Sequence, residues 1–102
     1  MDKEKSKLKK EKPKNKMNNK KTIIDVRTPG EFMSGNVAGS INIPLNEIPV
    51  RVSEIKQMPQ PIIFCCASGA RSGQATRFLK SNGIKCINGG SWYDVNYDYQ
   101  NA

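Results

Sequence analysis

The sequence predicts a small α/β domain with a mostly parallel sheet of about four strands and helices on both faces. The chain has 102 residues, enough for one compact domain. From residue 22 onward, short apolar or β-branched runs alternate with helix-like segments. Such alternation in so short a chain is typical of a parallel sheet covered by helices.

The first elements are a strand and a capped helix. Residues 22–26 (TIIDV) form a β-branched run that predicts a buried strand. A short helix is expected next, because Thr28 suits the N-cap, Pro29 the first helical position and Glu31 the capping-box position. The sequence Ser-Gly-Asn at residues 34–36 is expected to end it.

The middle of the chain predicts two further strands with a helical segment between them. Residues 40–43 predict a second small strand, and residues 46–58 are mostly helical in pattern, with Val52 and Ile55 on the inward face. Residues 62–66 (IIFCC) give the strongest strand signal in the chain.

A longer helix is predicted over residues 72–82. Ala75, Phe78 and Leu79 share one face of it, which we expect to be buried. Gly83 suits the position that terminates a helix.

The chain then predicts a last strand and a closing helical segment. The strand is expected over residues 84–87 and a turn at residues 89–90. Residues 91–97 are expected to be helical, with Trp92 and Tyr93 packed on the sheet.

The positive charge of the chain is concentrated at its start. Residues 1–21 hold ten lysines and three acidic residues, whereas residues 22–102 hold seven basic and six acidic residues. The first segment has little to bury beyond Leu8 and Met17, so we predict a disordered Lys-rich tail at 1–21 and a folded domain at 22–102. The tail is either a solvating arm or a segment that binds nucleic acid, an anionic surface or an acidic partner. The near-neutral folded domain predicts no nucleic-acid partner.

Targeting signals and cysteine usage indicate the compartment. No run is long enough to span a membrane, and the basic start lacks the apolar stretch of a secretory signal, so we expect a cytoplasmic protein without a membrane partner. The three cysteines (Cys65, Cys66 and Cys86) lack metal-ligand spacing, and the chain has no histidine. We therefore expect neither a metal site, a cofactor nor a disulfide scaffold, which leaves buried cysteines or a reactive thiol.

The segment after the strongest strand carries the ingredients of an activated nucleophile. Cys66 lies at the strand's carboxyl end, where open parallel sheets bind ligands. Small residues at 67–70 let successive backbone N–H groups curl around one point, and a helix starts directly after them. Such donors lower the pKa of a thiol at their centre, and Arg71 adds a cation suited to an anionic substrate.

Four segments together resemble the signatures of rhodanese-family sulfurtransferases. Residues 66–72 (CASGARS) resemble the family's active-site loop, and residues 24–27 (IDVR) with the following Glu31-Phe32 resemble its first signature. Residues 35–44 (GNVAGSINIP) resemble the second, in which a His commonly stands at the position of Asn36. Gly89-Gly90 followed by Trp92 is similar to the usual end of the domain. The closest likeness is to minimal single-domain rhodaneses, including the phage-shock type.

The resemblance implies a rhodanese-like three-layer fold and a ping-pong sulfur transfer. Cys66 would take sulfur from a small anionic donor such as thiosulfate, become a persulfide, and pass the sulfur to cyanide or a thiol. The loop amides would hold the anionic persulfide as an oxyanion hole holds an oxyanion, and Arg71 would orient the donor's sulfonate. The substrate-binding residues so implied are Ala67, Ser68, Gly69, Ala70, Arg71 and Ser72.

Several residues near the loop have two possible roles. Asp25 and Arg27 either shape the pocket rim, or Arg27 pairs with Glu31 while Asp25 caps local amides. Strand alternation turns Cys65 to the opposite face from Cys66, which favours a core role over a resolving thiol. Asn42 is expected to hydrogen-bond loop backbone rather than substrate.

Two other functions compete with sulfur transfer. Phosphatases and arsenate reductases of the cell-cycle dual-specificity type share this fold, but their loop places five residues between Cys and Arg. This chain has four between Cys66 and Arg71, which tightens the ring of amides and favours sulfur over a tetrahedral phosphate. The other alternative is a non-catalytic rhodanese module that binds partners. The sequence indicates no oligomeric state.

Overall fold

The computed structural model describes residues 21–100, so the prediction for the tail at 1–20 lies outside the described residues. Strands and helices alternate through this part of the chain. Their bounds are β1 (Thr22–Asp25), α1 (Pro29–Met33), β2 (Ile41–Asn42), a 3₁₀ helix (Leu45–Arg51), α2 (Val52–Lys56), β3 (Ile62–Cys66), α3 (Ala70–Lys80), β4 (Cys86–Ser91) and α4 (Trp92–Gln100).

The described strands form one parallel four-stranded sheet in the order β2-β1-β3-β4. In its register Asp25 lies opposite Asn42 on one side and Cys65 on the other. Because all strands run the same way, their carboxyl ends lie at one edge of the sheet. That edge carries the loop after Cys66, where ligands bind in open parallel sheets.

Both faces of the sheet are covered, as the sequence predicts. One face packs against the 3₁₀ helix, α2 and α3, with Phe64, Ile48 and Leu79 among its buried residues. The other face carries a smaller cluster that includes Ile63 and Val95, the latter from α4. The fold is therefore a three-layer α/β arrangement. No helix within residues 21–100 is long and apolar enough to cross a membrane.

The predicted cap of α1 is confirmed. The Thr28 side chain accepts a hydrogen bond from the Glu31 backbone N–H at 3.3 Å, and the Glu31 carboxylate accepts one from the Thr28 backbone N–H at 3.0 Å. Pro29 occupies the first turn and the helix ends at Met33. The capping box fixes the Glu31 carboxylate in place beside the start of α3.

The structure corrects the predicted end of the sheet. Instead of a strand at residues 84–87 and a turn at residues 89–90, β4 runs through both glycines to Ser91. A bulge makes this possible, because Phe64 pairs with Asn88 while Cys65 pairs with Gly90.

The glycine between those two pairs, Gly89, lies where a side chain would not fit. A methyl group at Gly89 would lie 2.6 Å from Val95 Cγ2 and 2.9 Å from Ile63 Cγ2. Gly89 therefore serves close packing of α4 on the sheet rather than a turn.

Several predicted helices differ in detail. The segment at residues 46–58 is a 3₁₀ helix containing Pro49, followed by the short α2. Helix α3 begins at Ala70, two residues before its predicted start, and α4 extends to Gln100. Phe78, expected on the buried face of α3, is 39% exposed, and Tyr93, expected to pack on the sheet, is 69% exposed.

Candidate active site

The loop between β3 and α3 wraps around the sulfur of Cys66. The Gly69 N–H donates to Cys66 Sγ at 3.0 Å, and the Ser72 N–H does so at 3.4 Å. Gly69 has a φ of +104°, a left-handed conformation that glycine adopts at low cost. Cys66 is itself buried, whereas Ala67, Ser68 and Ala70 are exposed. Two backbone N–H groups of the loop, those of Gly69 and Ser72, thus point at the Cys66 sulfur.

The surroundings of Cys66 favour its thiolate. Burial alone would raise the pKa of the thiol. The Ser72 hydroxyl, 3.4 Å from Sγ, and the backbone amides of Ser72, Gly69 and Ser68 outweigh it, so the pKa of Cys66 lies below its ordinary value. The described residues achieve this with hydrogen-bond donors in place of a histidine base.

Cys65 has the opposite environment. Its side chain packs with Val37, Ile63 and Val95 on the other face of the sheet, as strand alternation predicts. Burial, with a smaller contribution from the Asp25 charge, raises the pKa of Cys65 to about 12. Cys65 is therefore a neutral core thiol.

Asn88 is a polar residue at this site that the sequence analysis missed. Its Oδ1 accepts hydrogen bonds from the Ser72 hydroxyl at 2.6 Å and the Gly90 N–H at 3.0 Å. Its Nδ2 donates to the Gly69 carbonyl at 3.0 Å. Asn88 thus ties the loop and the start of α3 to β4. The available signal was a polar side chain near the carboxyl end of the strand beside β3.

Arg71 is held by a carboxylate from another element. Its Nη1 and Nη2 donate to Glu31 Oε1 and Oε2 at 2.8 and 3.0 Å, a bidentate ion pair. Hydrogen bonding to Arg71 first, and to the Thr28 backbone second, lowers the pKa of Glu31 to about 2. The pKa of Arg71 is raised, mainly by its hydrogen bonds to Glu31 and to a smaller extent by the charge of the Cys66 thiolate.

Asp25 and Arg27 form a buried pair beneath the site. The Arg27 Nη2 donates to Asp25 Oδ2 and to the Gly35 carbonyl, each at 2.7 Å, and the guanidinium lies 4.8 Å from the ring centroid of Trp92. Asp25 also accepts a hydrogen bond from the Arg27 backbone N–H at 3.0 Å, so it caps a local amide. The alternative Arg27–Glu31 ion pair is wrong, because Arg27 pairs with Asp25 and Glu31 is engaged by Arg71.

Asn42 and Trp92 support the same corner. The Asn42 side chain donates to the carbonyls of Asp25 and Arg27 at 3.0 and 2.9 Å, which confirms the prediction that it binds loop backbone. Trp92 packs on the smaller core cluster and stacks with Tyr93, with ring centroids 4.3 Å apart. These contacts fix the chain after β1 and leave the Cys66 loop as the chemically distinctive part of the edge.

A parallel three-layer α/β sheet with a cysteine in an amide-lined loop at its carboxyl edge defines the class of protein. The chain belongs to the rhodanese-like domain family, whose model matches residues 7–93. The matched residues include all four strands of the parallel sheet and the loop at residues 66–72.

Individual relatives agree with this assignment. The chain is 39% identical to a sulfurtransferase of Allochromatium vinosum over 60% of this chain and 56% of that protein. It is 34% identical to the thiosulfate sulfurtransferase PspE of Escherichia coli over 71% of each chain. The solved structure of a rhodanese with anions from E. coli superposes with a TM-score of 0.65 at 33% identity, covering 72% of this chain and 89% of that one. The chain spans about half the length of the first two curated relatives that it matches.

Proposed function

We propose that this protein is a sulfurtransferase that moves a sulfane sulfur from thiosulfate or a related donor to cyanide or a thiol, through a persulfide on Cys66. The observation that carries the proposal is the pair of backbone donors at Cys66 Sγ, the N–H groups of Gly69 at 3.0 Å and of Ser72 at 3.4 Å. Relatives named as sulfurtransferases support the same reaction class.

In the first half-reaction the Cys66 thiolate attacks the outer sulfur of thiosulfate. A new bond forms between Cys66 Sγ and that sulfur, while the sulfur–sulfur bond of thiosulfate breaks. Sulfite leaves with the bonding electron pair, and the negative charge passes to the outer sulfur of the persulfide. A lowered thiol pKa favours this step, because the thiolate is the nucleophile.

In the second half-reaction cyanide attacks the outer persulfide sulfur. Thiocyanate leaves, and the electron pair of the broken sulfur–sulfur bond returns to Cys66 as its thiolate. A thiolate acceptor reacts in the same way and leaves as a persulfide. We propose that the loop amides stabilise the anionic sulfur in both steps, since preorganised N–H donors act strongly on developing charge.

Sulfur loading can be measured directly. Incubating the protein with thiosulfate should add one sulfur atom to the intact mass, and subsequent cyanide should remove it with release of thiocyanate. Cys66→Ser should show neither change, whereas Cys86→Ser is the matched control because Cys86 is a buried thiol of β4. If wild type and Cys66→Ser behave alike, the proposed function is wrong.

The same proteins separate the competing functions. Hydrolysis of an aryl phosphate by wild type that is lost in Cys66→Ser would indicate the phosphatase reading. The four-residue spacing from Cys66 to Arg71 disfavours it, and Arg71 is engaged by Glu31. A non-catalytic partner-binding module would show neither phosphate hydrolysis nor sulfur loading. We propose the cytoplasm as the setting of sulfur transfer.

A further inference from the structure

The arginine closest in sequence to the candidate nucleophile is already neutralised. Arg71 uses two terminal nitrogens on the two carboxylate oxygens of Glu31, at 2.8 and 3.0 Å. A sulfonate that binds Arg71 through the same fork must therefore displace Glu31.

The competing carboxylate is held in place from a second side. Glu31 Oε1 accepts hydrogen bonds from the Thr28 N–H at 3.0 Å and the Thr28 hydroxyl at 3.1 Å. These bonds position Glu31 independently of Arg71, so an anion that binds Arg71 must compete with a carboxylate that is held in place. Its pKa of about 2 keeps it ionised across the working range of pH.

The second arginine of this corner is neutralised as well. Arg27 is buried and pairs with Asp25 through Nε and Nη2. Arg71 and Arg27 thus each pair with a carboxylate of the described chain.

We propose that Glu31 is a specificity-determining residue of the sulfur-donor site, which selects against multiply charged anions by competing with them for Arg71. This inference rests on the proposed function, because Glu31 can select among sulfur donors only if the site accepts a sulfur donor. It implies that donors of low charge, such as the persulfide of a small thiol, enter this site more readily than the thiosulfate dianion. Thiosulfate remains a donor, but one that saturates only at high concentration.

A graded set of inert probes tests the charge dependence without turnover. Sulfate, methanesulfonate and methanesulfonamide share a tetrahedral sulfur and carry two, one and no negative charges. Each is titrated as a protectant of Cys66 against the neutral reagent chloroacetamide. Glu31→Gln keeps an oxygen that can accept from Thr28, as Gln does in capping boxes, while removing the charge.

Glu31→Gln should bind sulfate about two- to fivefold more tightly than wild type, the range of factors that exposed ion pairs contribute. The gain should be smaller for methanesulfonate and absent for methanesulfonamide. Glu54→Gln is the matched control, since Glu54 makes a comparable bidentate pair with Arg51 at 2.9 Å outside the site, and its sulfate affinity should equal that of wild type.

Unchanged or weaker sulfate binding in Glu31→Gln would overturn the proposal, as would an equal gain for all three probes. In an Arg71→Gln background the Glu31→Gln change should have no effect; a persisting gain would also refute it. If Glu31→Gln unfolds by circular dichroism, the wild-type protein still tests the proposal, because sulfate that protects Cys66 better than methanesulfonate would overturn it. Because sulfate protection needs no sulfur transfer, failure of thiosulfate loading in wild type would refute the proposed function separately.

Discussion

Replacing Gly69 with alanine perturbs the ring of amides at a single peptide unit. Gly69 has a φ of +104°, in the left-handed region, where a residue with a Cβ costs roughly 1–2 kcal/mol. The added methyl group would lie 3.4 Å from Gly90 Cα, an ordinary contact, so the cost comes from the backbone. Relieving that strain rotates the N–H that donates to Cys66 Sγ at 3.0 Å.

The expected loss of reactivity follows from that hydrogen bond. A hydrogen bond to a charged group contributes about 1.5–3 kcal/mol. Since about 1.4 kcal/mol corresponds to a factor of ten, Gly69→Ala should slow alkylation of Cys66 at neutral pH about tenfold or more. The rate is followed by the mass of the Cys66 peptide after timed exposure to iodoacetamide.

Gly83→Ala provides the matched control. Gly83 also has a left-handed backbone, with φ +80°, but it follows α3 at the end remote from Cys66, and no atom lies within 4 Å of an added methyl group. Both variants should lose about 1–2 kcal/mol of unfolding free energy in urea. If Gly69→Ala and Gly83→Ala both lose stability but Cys66 reacts as fast in both variants as in wild type, the loop amides do not activate the thiol.

Four further outcomes are expected. Ser72→Ala should raise the pKa of Cys66, seen as slower alkylation at neutral pH, because the hydroxyl near Sγ is removed; unchanged alkylation would contradict this. In wild type the alkylation rate of Cys66 should fall with decreasing pH, with a midpoint below the pKa of free cysteine, since the Cys66 pKa is lowered. A midpoint above the pKa of free cysteine would contradict this prediction. Cys65→Ala should load sulfur from thiosulfate as wild type does, because Cys65 faces the other side of the sheet, and lost loading would indicate a resolving thiol. Gly89→Ala should lose about 1–3 kcal/mol in urea by overpacking against Val95; wild-type stability would refute the packing argument.

The order of elements and the position of the loop could be predicted because local signals agree there. Residues 62–66 are apolar throughout and predict the strand. The small residues and the arginine that follow them predict the end of that strand and the turn toward α3. The cap at Thr28 and Glu31 follows from spacing alone and is confirmed. Strand alternation placed Cys65 and Cys66 on opposite faces correctly.

The contacts that required the structure are those made across the chain. Glu31 and Arg71 are forty residues apart, so spacing gave no reason to pair them, and Arg27 was the nearer cation in sequence. Asn88 lies on a strand whose end was hidden by Gly89-Gly90, which normally indicates a turn. The pairing of Phe64 with Asn88 and of Cys65 with Gly90 shows that the two glycines belong to a bulged strand.

Because Cys65 and Cys66 face opposite sides of the sheet, cysteine labelling can distinguish the folded chain from the unfolded chain. The two adjacent thiols differ in acidity, since burial raises the pKa of Cys65 to about 12, whereas hydrogen bonds to the sulfur lower the pKa of Cys66 despite its burial. Because burial raises the pKa of Cys86 as well, a small neutral thiol reagent should label the folded chain first at Cys66. The unfolded chain presents all three cysteines. Labelling stoichiometry thus reads out the population of the unfolded state without an added probe.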